Sequence, residues 1–217
     1  SVGRKNRKIL DIGYPSLERR KSTNGDNQKN GAIMWTPRWS YDNKVGGSHF
    51  FEYYNFICTI KMIYPQRKIV FRPHPMMFDN FLRKGLLNKE DIEHYKKEIA
   101  SLGIILDENS ELNTALEEVS VLITDFSTLI MQFFMTGRPI IYCASEKIKL
   151  NSDYIELMEG IYIARNEHEI RNALYEIFEM NDPLKEKRKL IKEKFDYKFE
   201  GSTKRVLHTL ENDFLTI

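Results

Sequence analysis

Short apolar runs rich in β-branched residues alternate with helix-like apolar spacings through most of the chain. This alternation is typical of βα units that build a parallel sheet. The apolar runs predict strands over residues 31–35, 68–71, 104–106, 119–124, 139–143 and 161–164. The helix-like spacings predict helices over residues 49–64, 91–101, 112–118, 127–136, 167–180, 183–195 and 202–214. We therefore expect an α/β domain of Rossmann-like fold, with a mostly parallel, doubly wound sheet.

The beginning of the chain does not fit this pattern. A strand-like run at residues 9–12 is followed by a Gly13-Tyr14-Pro15 turn and by a charged and polar stretch that reaches residue 30. We expect residues 1–30 to be a linker or an edge segment from an upstream domain, and residues 31–217 to be the Rossmann-like domain. The absence of an initial Met suggests a fragment or a processed chain.

Composition narrows the functional classes. The 217 residues are 41% hydrophobic and carry a net charge of +2, which supports a folded core and does not indicate binding to nucleic acid. Cys58 and Cys143 lie in apolar runs, which is typical of reduced thiols in a cytoplasmic protein. No apolar stretch approaches the roughly 18–20 residues that span a bilayer. The basic first residues lead into no apolar segment, so we expect no signal peptide.

The strongest candidate site follows the predicted strand at residues 119–124. Ligands of open parallel sheets bind beyond the carboxyl ends of the strands. There, Asp125 and Ser127 stand at the start of an apolar helix, where either side chain is a candidate cap. Such a helix start can hold a phosphate or pyrophosphate without a Walker lysine. An ordinary helix cap is the alternative, and the local pattern does not decide between the two.

A second candidate is Arg72-Pro73-His74-Pro75, at the end of another predicted strand. The two prolines restrict the backbone and present both cationic side chains in a stiff geometry. Arg72 offers a planar fork for phosphate, and the imidazole of His74 can donate to the same group. A purely structural histidine is the alternative.

Two weaker candidates lie elsewhere. Arg38 follows the first strand, between the packing candidates Trp35 and Trp39. Near the end of the chain, Glu200 is placed to accept hydrogen bonds from ribose hydroxyls, and the amides of Ser202 and Thr203 are placed to approach phosphate. A surface acid and an ordinary helix cap are the alternatives there.

Other signals are weak or absent. The segment 183–195 is basic, which predicts either contact with an anionic membrane or a solvated helix face. His49, His94, His168 and His208 show no metal-ligand spacing, so we expect no metal site. The sequence contains no GxGxxG, P-loop or GxSxG motif.

Five motifs in order carry a family resemblance. They are Gly13-Tyr14-Pro15, Trp35-Thr36-Pro37-Arg38-Trp39, Arg72-Pro73-His74-Pro75, Ile123-Thr124-Asp125-Phe126-Ser127-Thr128 with Gly137-Arg138-Pro139-Ile140-Ile141-Tyr142, and Glu200-Gly201-Ser202-Thr203-Lys204-Arg205-Val206. Together they resemble the C-terminal domain of the CDP-glycerol glycerophosphotransferase family, which builds teichoic-acid-like polymers.

The resemblance covers nearly the whole chain and implies the C-terminal half of a GT-B transferase. This half would bind the CDP-linked donor of glycerol phosphate, or of a related polyol phosphate, without a metal or another cofactor. His74, Ser127 and Thr128 are then pyrophosphate ligands and Asp125 holds the loop. Enzymes of this kind act on cell-envelope polymers in the cytoplasm, here with peripheral contact to the inner face of the membrane as a further expectation.

The chain also departs from the family pattern. Thr36-Pro37-Arg38-Trp39 stands where the family usually has Pro-Thr-Trp-Arg, and Thr128 replaces a second serine. Glu200 and Lys204 replace residues that are typically Asp and Glu. The family's catalytic histidine belongs to a His-Gly motif of the N-terminal domain, and this sequence has no His-Gly pair. We therefore expect no catalytic residue in this half, and the polymer acceptor to be bound through an N-terminal domain.

Two alternatives remain open at this point. The chain is also compatible with the C-terminal domain of a GT-B glycosyltransferase that uses a UDP-sugar or another nucleotide-sugar. A non-catalytic α/β module that serves in assembly is the third interpretation, and it predicts no nucleotide binding.

Overall fold

The structure, a computed structural model, describes residues 12–18, 31–41, 47–109, 111–146 and 152–214. Within these ranges the strands are β1 (Ala32–Thr36), β2 (Ile69–Phe71), β3 (Ile105–Leu106), β4 (Val119–Thr124), β5 (Ile140–Cys143) and β6 (Tyr162–Ala164). The helices in the same ranges are α1 (Pro15–Glu18), α2 (Phe50–Ile63), α3 (Met77–Arg83), α4 (Lys89–Ser101), α5 (Leu112–Glu117), α6 (Leu129–Phe134), α7 (Ser152–Met158), α8 (Glu167–Glu179), α9 (Lys185–Phe199) and α10 (Ser202–Phe214).

The strands form one sheet in the order β3-β2-β1-β4-β5-β6, and every neighbouring pair is parallel. The predicted Rossmann-like, doubly wound sheet is confirmed. Strands of such a sheet are covered on both faces, and this explains why they appear in the sequence as continuous apolar runs. All residues of β1, β4 and β5 are buried. The strand order reverses between β1 and β4, and an open parallel sheet forms a ligand crevice at such a switch point.

Helices cover both faces of the sheet and form two hydrophobic cores. One core joins α2, α3, α4 and α8 to the sheet, and Trp35 lies within it. The ring of Trp35 stacks on Phe50 with centroids 5.8 Å apart and lies 5.0 Å from Phe71. The other core joins α6, α7 and α9 through residues such as Phe133 and Phe195. Trp35 is therefore a packing residue.

The strands and the long helices lie within a few residues of the predicted bounds. The sequence did not predict three short helices, α1 with four residues and α3 and α7 with seven residues each. Such lengths are too short to show clear apolar periodicity. Helix α6 is shorter than predicted. It is followed by Gly137, which has a φ of +74° and donates its amide to the carbonyl of Phe134 at 2.9 Å. A glycine is suited to this left-handed position because it has no Cβ.

Residues 12–18 lie against the last two helices. Leu17 is buried in the core that contains α9, and Nε of Arg205 donates to the carbonyl of Ile12 at 3.1 Å. Gly13 has a φ of +79°, and a Cβ at this position would overlap the hydroxyl of Ser202. The role of residues 1–30 as a linker or edge segment stays a prediction. Residues 9–11 of the predicted strand lie outside the described residues.

Both cysteines are free thiols, as expected for small apolar side chains in a reduced protein. Burial raises the pKa of Cys58 and of Cys143. In the part of the chain that the structure describes, no helix is long and apolar enough to cross a bilayer.

Candidate functional site

The carboxyl ends of β2, β1 and β4 stand side by side in the sheet, at the edge where open parallel sheets bind ligands. The predicted site residues at these three ends are Arg38, Arg72, His74, Asp125, Ser127 and Thr128. Two sets of contacts connect the segments. Asp125 bonds to the loop after β1, and the ring of Trp39, on that same loop, lies 6.3 Å from the ring of His74. Trp39 is exposed, so it is not the packing residue that the sequence offered as one interpretation.

Asp125 joins three segments through one buried carboxylate. Its Oδ2 accepts the backbone N–H of Arg38 at 2.7 Å and the backbone N–H of His49 at 3.2 Å. Its Oδ1 lies 2.6 Å from Nδ1 of His49, and the side chain of Asp125 is only 3% exposed. The carboxylate therefore fixes the end of β4, the loop after β1 and the start of α2 relative to one another. A direct contact of Asp125 with a donor stays a prediction.

His49 is the residue that sequence reasoning missed, because it was considered only as a metal ligand. It occupies the N-cap position of α2, its ring stacks on Tyr53 at 5.2 Å, and its side chain is 14% exposed. Burial lowers the pKa of His49, but the hydrogen bond to Asp125 and the charge of that carboxylate together raise the pKa above its ordinary value. The available signal was its position: it opens the helix that follows β1, where Rossmann-like domains hold phosphate.

The side chain of Arg72 already has partners within the protein. Its guanidinium forms an ion pair with Asp107, and Nη2 donates to the carbonyl of Asn109 at 2.7 Å. Oδ1 of Asp107 in turn accepts the backbone N–H of Asn109 at 3.1 Å. These contacts tie the segment after β2 to the segment after β3. Phosphate binding by Arg72 stays a prediction.

His74 is exposed at the end of β2. Its Nδ1 accepts the backbone N–H of Met76 at 3.2 Å, so the neutral ring carries its proton on Nε2. Burial lowers the pKa of His74, which favours this neutral form. Nε2–H is therefore the group that His74 can donate to a ligand.

The hydroxyls at the start of α6 form no hydrogen bond with any other residue that the structure describes. Thr128 occupies the N-cap position without a side-chain cap, and Ser127 contributes its carbonyl to the N–H of Ile130 at 3.2 Å. The predicted cap by Ser127 or Asp125 is wrong, because the carboxylate of Asp125 bonds to the start of α2 instead. At the end of β1 the hydroxyl of Thr36 is buried and has no partner among the described residues, and unsatisfied buried hydroxyls are uncommon.

Arg38, the weaker candidate after β1, is half-buried. Its backbone N–H donates to the carboxylate of Asp125, and its positive charge interacts electrostatically with the phenol of Tyr142. Burial raises the pKa of that phenol, and the nearby positive charge of Arg38 partly offsets the effect. Donor binding by the guanidinium of Arg38 stays a prediction.

The candidates at the start of α10 already have partners. The carboxylate of Glu18 accepts the N–H of Gly201 and the N–H of Thr203, each at 2.8 Å, and the hydroxyl of Thr203 at 2.6 Å. The hydroxyl of Ser202 is buried and donates to a backbone carbonyl. The carboxylate of Glu18 therefore accepts the N–H groups at the start of α10 that the sequence offered to a phosphate. Glu200 is exposed, and its contact with ribose stays a prediction.

Within the described ranges, no group of three or more His, Cys, Asp or Glu side chains could hold a metal ion. The candidate site contains hydrogen-bond donors, two arginine side chains and the carboxylate of Asp125 at the edge of the sheet.

Comparison with known proteins identifies the family. The sequence model described as CDP-glycerol:poly(glycerophosphate) glycerophosphotransferase matches residues 3–212. This match confirms the family resemblance. None of the curated proteins is similar enough in sequence to match the chain.

Several solved structures share the fold. UDP-N-acetylglucosamine 2-epimerase aligns over 95% of this chain and 52% of its own, with a TM-score of 0.56 and 14% identity. A histidine-to-asparagine variant of the wall teichoic acid polymerase TagF aligns over 96% and 54%, with a TM-score of 0.53 and 15% identity. The C-terminal CMP-Kdo binding domain of WaaA from Acinetobacter baumannii aligns over 78% and 90%, with a TM-score of 0.51 and 8% identity.

At these identities the likeness shows the fold alone. The epimerase and TagF have the GT-B fold, and the chain spans about half the length of the first structures that it matches. The predicted Rossmann-like half of a GT-B fold is therefore confirmed.

Proposed function

Because the chain belongs to the CDP-glycerol:poly(glycerophosphate) glycerophosphotransferase family, we propose that it is the donor-binding part of a transferase in teichoic-acid-type biosynthesis. The enzyme moves glycerol phosphate, or a related polyol phosphate, from a CDP-linked donor to a hydroxyl of a cell-surface polymer. The polymer is bound, and its hydroxyl deprotonated, by a domain outside this chain.

The chemistry defines what the donor-binding part must do. The acceptor oxygen forms a bond to the distal phosphorus of the donor, the bond from that phosphorus to the bridging oxygen breaks, and CMP leaves. Negative charge then builds on the phosphate of CMP. Hydrogen-bond donors and cations that are already in place at that phosphate stabilise the transition state. Such a site requires no divalent metal.

The observation that carries this proposal is the set of donors at the switch point. The backbone bond from Met76 leaves Nε2–H of His74 to face a ligand. The hydroxyls of Ser127 and Thr128 have no partner among the described residues, and Trp39 is exposed beside His74. We assign the pyrophosphate to His74, Ser127 and Thr128. Arg72 stabilises the segment that contains His74 through its ion pair with Asp107.

Calorimetric titration with CDP-glycerol, CDP and UDP tests the proposal. We expect the CDP compounds to bind, and His74→Ala to weaken CDP-glycerol binding about tenfold, or about 1.4 kcal/mol, the contribution of one charge-assisted hydrogen bond. His94→Ala is the matched control, because His94 is an exposed histidine on α4. Binding should survive EDTA. Equal affinities of the His74→Ala protein and the wild type would contradict the assignment.

The same titration separates the alternatives. Tighter binding of UDP than of CDP would favour a glycosyltransferase that uses a nucleotide-sugar. Absence of binding by all three nucleotides would favour a non-catalytic assembly module.

We further propose that the protein works in the cytoplasm, at the inner face of the membrane. The basic residues of α9 support this placement, because positive charge is attracted to anionic lipid. The attraction is moderate, since Lys187 pairs with Glu159 and Lys194 pairs with Glu156 on the same surface.

A further inference from the structure

A pair formed by the buried Asp125 and the half-buried His49 lies at the switch point, and the proposed function does not use it. Nδ1 of His49 is 2.6 Å from Oδ1 of Asp125. The two residues are 76 positions apart in the chain, and β4 and the start of α2 bring them together. The pair lies beside the loop after β1, where Arg38 also bonds to Asp125.

The geometry determines which nitrogen of His49 is available. Asp125 is an acceptor, so Nδ1 carries a proton and points into the protein. The two nitrogens of an imidazole point in widely different directions, so Nε2 is turned away from Asp125. The side chain is 14% exposed, and the closest carboxylate oxygen to Nε2 within the described ranges, from Glu52, is 3.9 Å away, beyond hydrogen-bond distance. Among the residues that the structure describes, Nε2 therefore has no hydrogen-bond partner and can donate to a ligand.

We propose that His49, oriented by Asp125, is a further ligand of the donor's pyrophosphate, to which it donates a hydrogen bond from Nε2–H. This inference rests on the proposed function. It makes His49 a donor-binding residue and Asp125 its positioning residue.

Electrostatics at the site agree with this role. In the described part of the chain, the titratable groups next to the ring are Asp125, directly after β4, and Glu52 and Tyr53 from α2. The two carboxylates raise the pKa of His49 by more than burial lowers it, so the imidazolium persists to higher pH than in a free histidine. Of the two arginines considered at this edge, Arg72 is already paired with Asp107 and Arg38 is half-buried. His49 thus brings a positive charge to an edge where His74 is a neutral donor.

Two amide variants of His49 distinguish a ligand-binding role from a purely structural role. In His49→Asn, the side-chain amide can take the place of Nδ1 and keep the bond to Asp125, but nothing replaces Nε2. In His49→Gln, the amide can take the place of Nε2 without charge. CDP-glycerol is the suitable probe, because its pyrophosphate diester does not titrate near neutral pH, so pH effects on binding come from the protein.

We expect wild-type affinity for CDP-glycerol to decrease as the pH rises from about 6 to about 8.5, through the titration range of histidine. His49→Asn should bind about tenfold more weakly at pH 6 and should lose most of this pH dependence. His49→Gln should recover part of the affinity but not the pH dependence. Any contribution from His74 is common to all three proteins and cancels in the comparison.

The outcomes are distinct. If His49→Asn binds CDP-glycerol with the affinity and pH profile of the wild type, His49 has only a structural role. The inference is then wrong, and the proposed function stands. If the wild-type protein binds no CDP compound, the proposed function fails and the inference fails with it.

Discussion

The carboxylate of Asp125 offers the sharpest test of how the site is held together. Asp125→Ala removes the acceptor of two backbone N–H groups and of the His49 imidazole. Asp125→Asn is the matched control. Its carbonyl oxygen can keep both backbone bonds, and its amide can donate to Nδ1 of His49 once that ring moves its proton to Nε2. The two variants differ in how many donors lose their partner.

The expected magnitudes follow from these contacts. A hydrogen bond to a charged group contributes about 1.5–3 kcal/mol, and Asp125→Ala breaks three. Water reaches these half-buried donors and recovers part of the loss, so we expect about 3–5 kcal/mol lower free energy of unfolding. Asp125→Asn keeps the hydrogen bonds and loses only the charge, so we expect about 1 kcal/mol.

Urea unfolding monitored by circular dichroism measures both values, provided that the slope with denaturant is unchanged. The pKa of His49 is raised in the folded protein. The ion pair therefore stabilises fully below the ordinary histidine pKa, and its contribution is lost as the pH rises through the folded-state pKa. The difference between wild type and Asp125→Asn should thus be larger at about pH 6 than at about pH 8.5. A loss below about 1 kcal/mol for Asp125→Ala would refute this reasoning.

Two other predictions concern stability. The hydrogen bonds to Thr203 lower the pKa of Glu18. The contribution of Glu18 to stability is therefore present above the ordinary pKa of 4.5 and is lost as the pH falls through the folded-state pKa. The melting temperature of Glu18→Gln should be below that of wild type at neutral pH and should approach it in acid. Asp182 pairs with the fully buried Arg188 and accepts the hydroxyl of Tyr162 at 2.9 Å. Asp182→Ala should therefore cost about 3–5 kcal/mol in urea unfolding, and a loss below about 1 kcal/mol would show that Arg188 finds another partner.

Much of the fold could be predicted because its signals are local. Strand β4 begins and ends where the apolar run does, and α10 has the predicted bounds. The parallel, doubly wound sheet follows from the alternation of strands and helices. Helices α1, α3 and α7 were missed because four to seven residues hold too little periodicity. Helix α6 is shorter than its apolar run because a continuous apolar sequence does not mark a helix end.

The candidate site was only partly predictable for a different reason. The sequence placed His74 and Ser127 after strands whose carboxyl ends meet at one edge, and donor binding by these residues stays a prediction. It did not reveal that Asp125 bonds to His49, that Arg72 pairs with Asp107, or that Glu18 occupies the start of α10.

The sequence by itself thus determined the element types, the fold class and the family, because each depends on short-range patterns and motifs. Only the tertiary structure decided which side chains have partners and which remain open to a ligand. Asp125 and Arg38 are 87 residues apart, and Glu18 and Gly201 are 183 apart. Bonds between such distant residues are set by how the strands and helices pack, and no local pattern records them.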